Sequence, residues 1–110
     1  MRLSKEQAVK SVQKLKERIT AHLGYPVKMV LFGSVARGDF GPESDIDVLI
    51  LINGPLTRKL EEELMRIAFE IELDDDVIFG LLTHSLDEWN SNLYRAMPIH
   101  WSIDKDGILI

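Results

Sequence analysis

The 110-residue chain contains no cysteine. That excludes disulfides and thiolate metal sites, and it fits a cytoplasmic location. It has no apolar run approaching the ~20 residues a membrane helix needs. The start, Met1 to Glu6, is charged but is followed by no apolar core, so it does not read as a secretory signal. Excess positive charge is also lacking: the formal net charge is −5. An acidic domain of this size makes a poor general binder of nucleic-acid backbone, so no extended nucleic-acid surface is expected. Repeats, low-complexity segments and linkers are absent too, and the length suits one domain spanning 1–110.

What is present alternates regularly. Ser4 with Gln7 three positions on forms a capping box, opening a helix from Lys5 to about His22. Ala8, Val12, Leu15, Ile19 and Leu23 make its apolar stripe, and Gly24 with Pro26 stops it. Val27 to Phe32 reads as a strand, Ser34 to about Gly38 as a short helix, and Asp39 to Glu43 as a loop. A second strand follows at Ile46 to Ile52. Asn53-Gly54-Pro55 is a turn, with Pro55 placed to start a helix over Leu56 to Leu73. Leu60, Leu64, Ile67 and Ile71 form that helix's buried stripe, while Arg58, Lys59, Glu61, Glu62, Glu63 and Arg66 form a solvated face. Val77 to Thr83 reads as a third strand. Ser85 to Glu88 is a second capping box that opens a short helix to about Arg95. Pro98 is expected to break the pattern, and Asp106-Gly107 to form a turn near the end. The order α-β-α-β-α-β-α predicts an α+β or α/β-like domain in which helices cover a small sheet.

The chemistry concentrates between Gly33 and Ile50. Residues i and i+2 of a strand point to one face. Asp45 and Asp47 therefore aim together while Ile46 and Val48 pack inward. Two carboxylates converging beside a Gly-Ser turn can hold Mg²⁺ against a triphosphate. Gly33 lets backbone approach a phosphate closely, and Ser34 offers its hydroxyl and amide at a helix start. Arg37 can contact phosphate or tie the loop to a carboxylate. Ser44 can cap the loop or touch a ligand directly.

The run Gly33-Ser34, Ala36-Arg37-Gly38, then Ser44-Asp45-Ile46-Asp47, resembles the signature of the polymerase-beta-type nucleotidyltransferase superfamily. The resemblance is closest to its minimal stand-alone (MNT) members. It implies a mixed sheet and Mg²⁺-dependent transfer of a nucleoside monophosphate, AMP from ATP or another nucleoside triphosphate, to an acceptor such as a toxin protein or an RNA. The alternative it implies is a catalytically weak nucleotide-binding or antitoxin module that acts by binding a HEPN-domain partner. It also implies a third carboxylate from the next strand. Asp74, Asp75 and Asp76 precede that strand, Asp76 stands nearest to it, and Val77 to Leu82 contains no carboxylate.

Other residues carry less. His22 suits a helix C-terminus, and His84 and His100 are read as lacking a carboxylate or histidine at metal spacing. Trp89 and Trp101 read as core or interface anchors. A homo-oligomer or partner contact is expected through helix one or the segment after strand three.

Overall fold

A computed structural model describes residues 3–110; Met1 and Arg2, part of the N-terminal reading, lie outside them. Helix α1 spans Lys5–Leu23. Ser4 Oγ accepts from the Gln7 amide, and Gly24 closes the helix in the left-handed conformation. Strand β1 is Lys28–Phe32, helix α2 is Gly33–Arg37 and strand β2 is Ile46–Ile52. Helix α3 spans Arg58–Asp75 and strand β3 Phe79–Ser85. Three short helices follow: α4 (Leu86–Trp89), α5 (Asn92–Arg95) and α6 (Pro98–Asp106). A two-residue strand, β4 (Ile108–Leu109), ends the order.

The sheet runs β3-β2-β1-β4. β2 pairs parallel with β3 and antiparallel with β1, and β4 pairs antiparallel with β1, so the sheet is mixed as expected. One face carries Met29, Leu31, Ile46, Val48, Ile50 and Ile52, packed on the stripe Ala8, Val12, Leu15 and Ile19 of α1 and on Leu64, Ala68 and Ile71 of α3. Leu49 and Leu51 of the opposite face pack on Trp89 and Ile103. β2 is therefore buried on both faces, which accounts for its unbroken apolar run. No helix among the described residues is long and apolar enough to cross a membrane.

Several boundaries differ from the sequence reading, each for a local reason. Pro55 does not open α3; Thr57 does, its Oγ1 accepting from the Leu60 amide. Asp76 caps α3 in the left-handed conformation at φ 55°, so β3 starts at Phe79 rather than Val77. The helix expected to run to Arg95 is split, because Ser91 caps a separate turn. Pro98 starts α6 rather than ending a pattern, since the first helical turn needs no proline N–H. Gly107 closes α6 and releases the chain into β4, a fourth strand that the sequence reading did not anticipate.

The acidic run before β3 is more than a solvated turn. Asp75 Oδ1 accepts from Lys14 Nζ at 2.6 Å, and Asp75 Oδ2 accepts from the buried Ser11 hydroxyl at 2.7 Å. Both partners lie on α1, so Asp75 clamps the two helices together. The hydrogen bond from Lys14, more than that from Ser11, holds this carboxyl below its usual 3.8, against the opposing effect of burial. Asp75→Asn is expected to cost about 1–3 kcal/mol, because a buried hydroxyl and an ammonium lose their charged acceptor. A carboxyl with a lowered folded-state pKa stabilises fully above its unfolded value and loses that contribution as pH falls through the folded one. Thermal melts should therefore show a constant gap between the two proteins near neutrality, closing as pH falls below 3.8. A gap that persists at the acid end would contradict the clamp.

Candidate active site

β2 enters the sheet at Ile46, and Asp45 immediately precedes it. Asp47 lies opposite Phe32 on one side and Gly80 on the other. Phe32 is the last residue of β1, so the chain turns at Gly33 directly beside the Asp47 carboxylate. Gly33 has φ 75°, a region that L side chains rarely adopt. A Cβ there would also collide with Asp47 Oδ2. On the far side, a Cβ at Gly80 would come within 2.5 Å of Asp47 Oδ1. Two glycines on different strands thus flank one half-buried carboxylate and leave room for its oxygens. Gly80 escaped the sequence reading, although a glycine inside an otherwise apolar strand signals a close approach.

Burial pushes the Asp47 carboxyl up from its ordinary value, and neighbouring Asp45 pushes it the same way. Arg37 acts in the opposite sense, so its positive charge reaches the carboxylate from α2. Asp45 itself is exposed. A carboxyl whose charged form is disfavoured by burial and by a neighbouring acidic group is one that a cation would relieve. The oxygen donors of Asp45 and Asp47 suit a hard divalent ion, and the flanking glycines leave the approach unobstructed. The residues present therefore fit Mg²⁺.

The rest of the loop is held from within. Val35 and Ala36 bury α2 against the core. The Ser34 carbonyl accepts from the Gly38 amide at 2.9 Å and the Asp39 amide at 3.1 Å. Arg37 Nε donates to Asp39 Oδ2 at 3.2 Å, on the exposed side. Ser44 Oγ accepts from the Gly41 amide at 2.8 Å, while the Ser44 amide donates to the Gly41 carbonyl at 3.2 Å. Ser44 is thus the staple of the loop that delivers Asp45.

Asp76, the third carboxylate expected from the resemblance, is the C-terminal cap of α3. It lines a cleft with Glu43, Ser44 and Asp75 that neither Asp45 nor Asp47 lines. Among the described residues no group of three His, Cys, Asp or Glu is placed to hold a metal ion. The left-handed turn at Asp76 ends α3 before β3 begins.

The histidine reading is corrected as well. Both distal histidines have a carboxylate four residues on: His84 Nδ1 lies 3.7 Å from Glu88, and His100 Nδ1 lies 3.1 Å from Asp104. His100 stacks on buried Trp89 at 4.3 Å between ring centroids. His22 pairs with Glu63 of α3 at 2.8 Å. Trp101 is exposed, with Lys105 Nζ 5.7 Å from its ring centroid.

With the fold and this loop in view, comparison with known proteins is decisive for the family. The profile described as "Nucleotidyltransferase domain" matches residues 12–103. The chain belongs to the nucleotidyltransferase domain family. Two proteins of Methanocaldococcus jannaschii, MJ0141 and MJ0604, which carry protein adenylyltransferase as a provisional name, are 42% and 46% identical to it over 53 and 50 residues. Those stretches cover 48% and 44% of this chain, and 54% and 47% of the two relatives. The nucleotidyltransferase domain thus spans about half the length of the curated relatives it matches. Among solved structures, a toxin-antitoxin complex crystallised with AMP-PNP contains a similar chain, with a TM-score of 0.55 at 18% identity. The likeness covers 97% of this chain and 72% of that one. At that identity it supports the fold.

Proposed function

We propose that this nucleotidyltransferase domain transfers a nucleoside monophosphate from a nucleoside triphosphate to an acceptor hydroxyl. The observation that carries the reading is the Asp47 carboxylate, flanked by Gly33 and Gly80 and set beside Asp45. Asp45 and Asp47 would hold Mg²⁺, which when bound neutralises charge building on the α-phosphate and the departing pyrophosphate. The Gly33-Ser34 turn receives the triphosphate through backbone amides. Arg37 adds positive charge from α2, and Ser44 keeps the loop ahead of Asp45 in place. The acceptor hydroxyl releases its proton to solvent as its oxygen bonds to the α-phosphorus, the α–β anhydride bond breaks, and pyrophosphate leaves with the electron pair. The protein's share of this chemistry is positioning and electrostatics. ATP is the donor we favour, on the likeness to a chain solved with AMP-PNP and on the names of the curated relatives.

That no group of three His, Cys, Asp or Glu among the described residues is placed to hold a metal ion favours a second reading: a catalytically weak nucleotide-binding or antitoxin module that acts by binding a HEPN-type partner. One experiment separates the two. The domain is incubated with Mg²⁺, α-labelled ATP and its co-expressed genomic neighbour, and both proteins and any bound RNA are weighed. A mass gain of one AMP on any of them, lost in Asp47→Asn, supports transfer. Binding of Mg²⁺–ATP without transfer supports the antitoxin module. No binding of Mg²⁺–ATP at all overturns both.

A further inference from the structure

Helix α2 carries the Gly33-Ser34 turn at one end and Arg37 at the other, and it is only five residues long. A helix this short is not held by its own hydrogen bonds, so its place depends on what surrounds it. Val35 and Ala36 anchor one side of it in the core. Beyond Arg37 the chain turns left-handed at Gly38, and the Gly38 and Asp39 amides close back on the Ser34 and Val35 carbonyls. The Ala36 carbonyl accepts instead from Lys5 Nζ, 31 positions away, at 3.3 Å.

Lys5 stands against the preference of its own helix. It is the first residue of α1, where the backbone dipole favours an acidic side chain, such as that of neighbouring Glu6, and disfavours a cation. The carbonyl end of α2 has the opposite partial charge, and that is where the ammonium goes. The next lysines of α1 are neutralised: Lys10 pairs with Glu6 and Lys14 with Asp75. Among the described residues no carboxylate pairs with Lys5, and its charge stands beside the residue that precedes Arg37.

We infer that Lys5 is a positioning residue of the nucleotide site. Its ammonium holds the carbonyl end of α2 and so fixes the Gly33-Ser34 turn and Arg37 in the geometry that receives a triphosphate. Its charge adds to that of Arg37 and offsets the Asp45 and Asp47 carboxylates as an anionic ligand approaches. What α2 receives rests on the proposed transfer reading; the hold of Lys5 on α2 does not.

The test uses the full chain and three variants. Lys5→Met removes the charge and keeps the stem. Lys5→Arg keeps a charged donor. Lys10→Met makes the same charge change on the same helix, where the lost partner is only the exposed Glu6. In nucleotide-free protein, hydrogen exchange at the Gly38 and Asp39 amides should be on the order of fivefold faster in Lys5→Met and unchanged in Lys10→Met. Calorimetry with Mg²⁺ and a non-hydrolysable ATP analogue should show affinity on the order of tenfold lower in Lys5→Met, as expected for a lost charged donor. Lys5→Arg should restore most of it, and Lys10→Met should bind as the parent does. Unchanged exchange in Lys5→Met overturns the inference, whether or not the parent binds nucleotide. With a parent that binds, undiminished affinity in Lys5→Met, an equal loss in Lys10→Met or no recovery in Lys5→Arg overturns it too and spares the transfer reading. A parent that binds no Mg²⁺–ATP defeats that reading and leaves the exchange rates to decide whether Lys5 holds α2.

Discussion

Asp47→Asn is expected to weaken Mg²⁺–ATP binding on the order of 100-fold, while the metal-free protein melts at a higher temperature than the parent. The two effects share one cause. Asp47 sits half-buried beside Asp45, and burial first and Asp45 second disfavour its charged form. Without a cation that charge is a liability, so removing it at constant shape stabilises the fold. With a cation the same charge is the ligand, and each such interaction contributes several kcal/mol of charge stabilisation. Asp45→Asn should act in the same direction on binding and less on melting, since Asp45 is exposed. Titration calorimetry with Mg²⁺ and a non-hydrolysable ATP analogue, together with thermal melts in chelator, reads both quantities. A loss of binding accompanied by a lower melting temperature would mean that Asp47 is a structural residue and that the ligand assignment is wrong. Unchanged affinity in both variants would mean that the nucleotide binds elsewhere.

How much of this was legible beforehand follows from the range over which each feature is encoded. The placing of Asp47 in β2, with Asp45 immediately before it, depends only on where one strand begins. β2 was bounded correctly at Ile46 and Ile52 because double burial leaves a sharp apolar run. The caps at Ser4 and Ser85 were legible because each involves an amide only three residues away. What escaped depends on register or on a single backbone conformation. The role of Gly80 exists only because parallel pairing sets it opposite Asp47, and no local pattern encodes that alignment. Asp76 was placed by nearness in sequence to a strand starting at Val77, yet its left-handed conformation delays β3 to Phe79. Asp75, its neighbour, found its partners 61 and 64 positions away on α1. β4 consists of two residues whose pairing with β1 is entirely non-local.

The second large effect is expected at Gly33. Gly33→Ala should abolish Mg²⁺–ATP binding and destabilise the fold by more than either of two comparison changes, because it combines two costs that they carry singly. Gly38 has φ 85° and nothing within 4 Å of a new Cβ, so Gly38→Ala reports conformational strain alone, about 1–2 kcal/mol. Gly80 is outside the positive-φ region, yet its Cβ would lie 2.5 Å from Asp47 Oδ1, so Gly80→Ala reports the contact alone, about 1–3 kcal/mol. Gly33 has φ 75° and a Cβ position that Asp47 Oδ2 already occupies, so the two costs should roughly add. A double-mutant cycle isolates the second cost. In an Asp47→Ala background the carboxylate is gone and only the Cβ of residue 47 remains, 3.2 Å from the new Cβ, so Gly33→Ala should then cost little more than Gly38→Ala does. The coupling between positions 33 and 47 should accordingly be about 1–3 kcal/mol. Chemical denaturation of the four proteins of the cycle measures it. Coupling near zero would show that the turn and the carboxylate are independent, and the glycine-flanked carboxylate could then no longer support the proposed site.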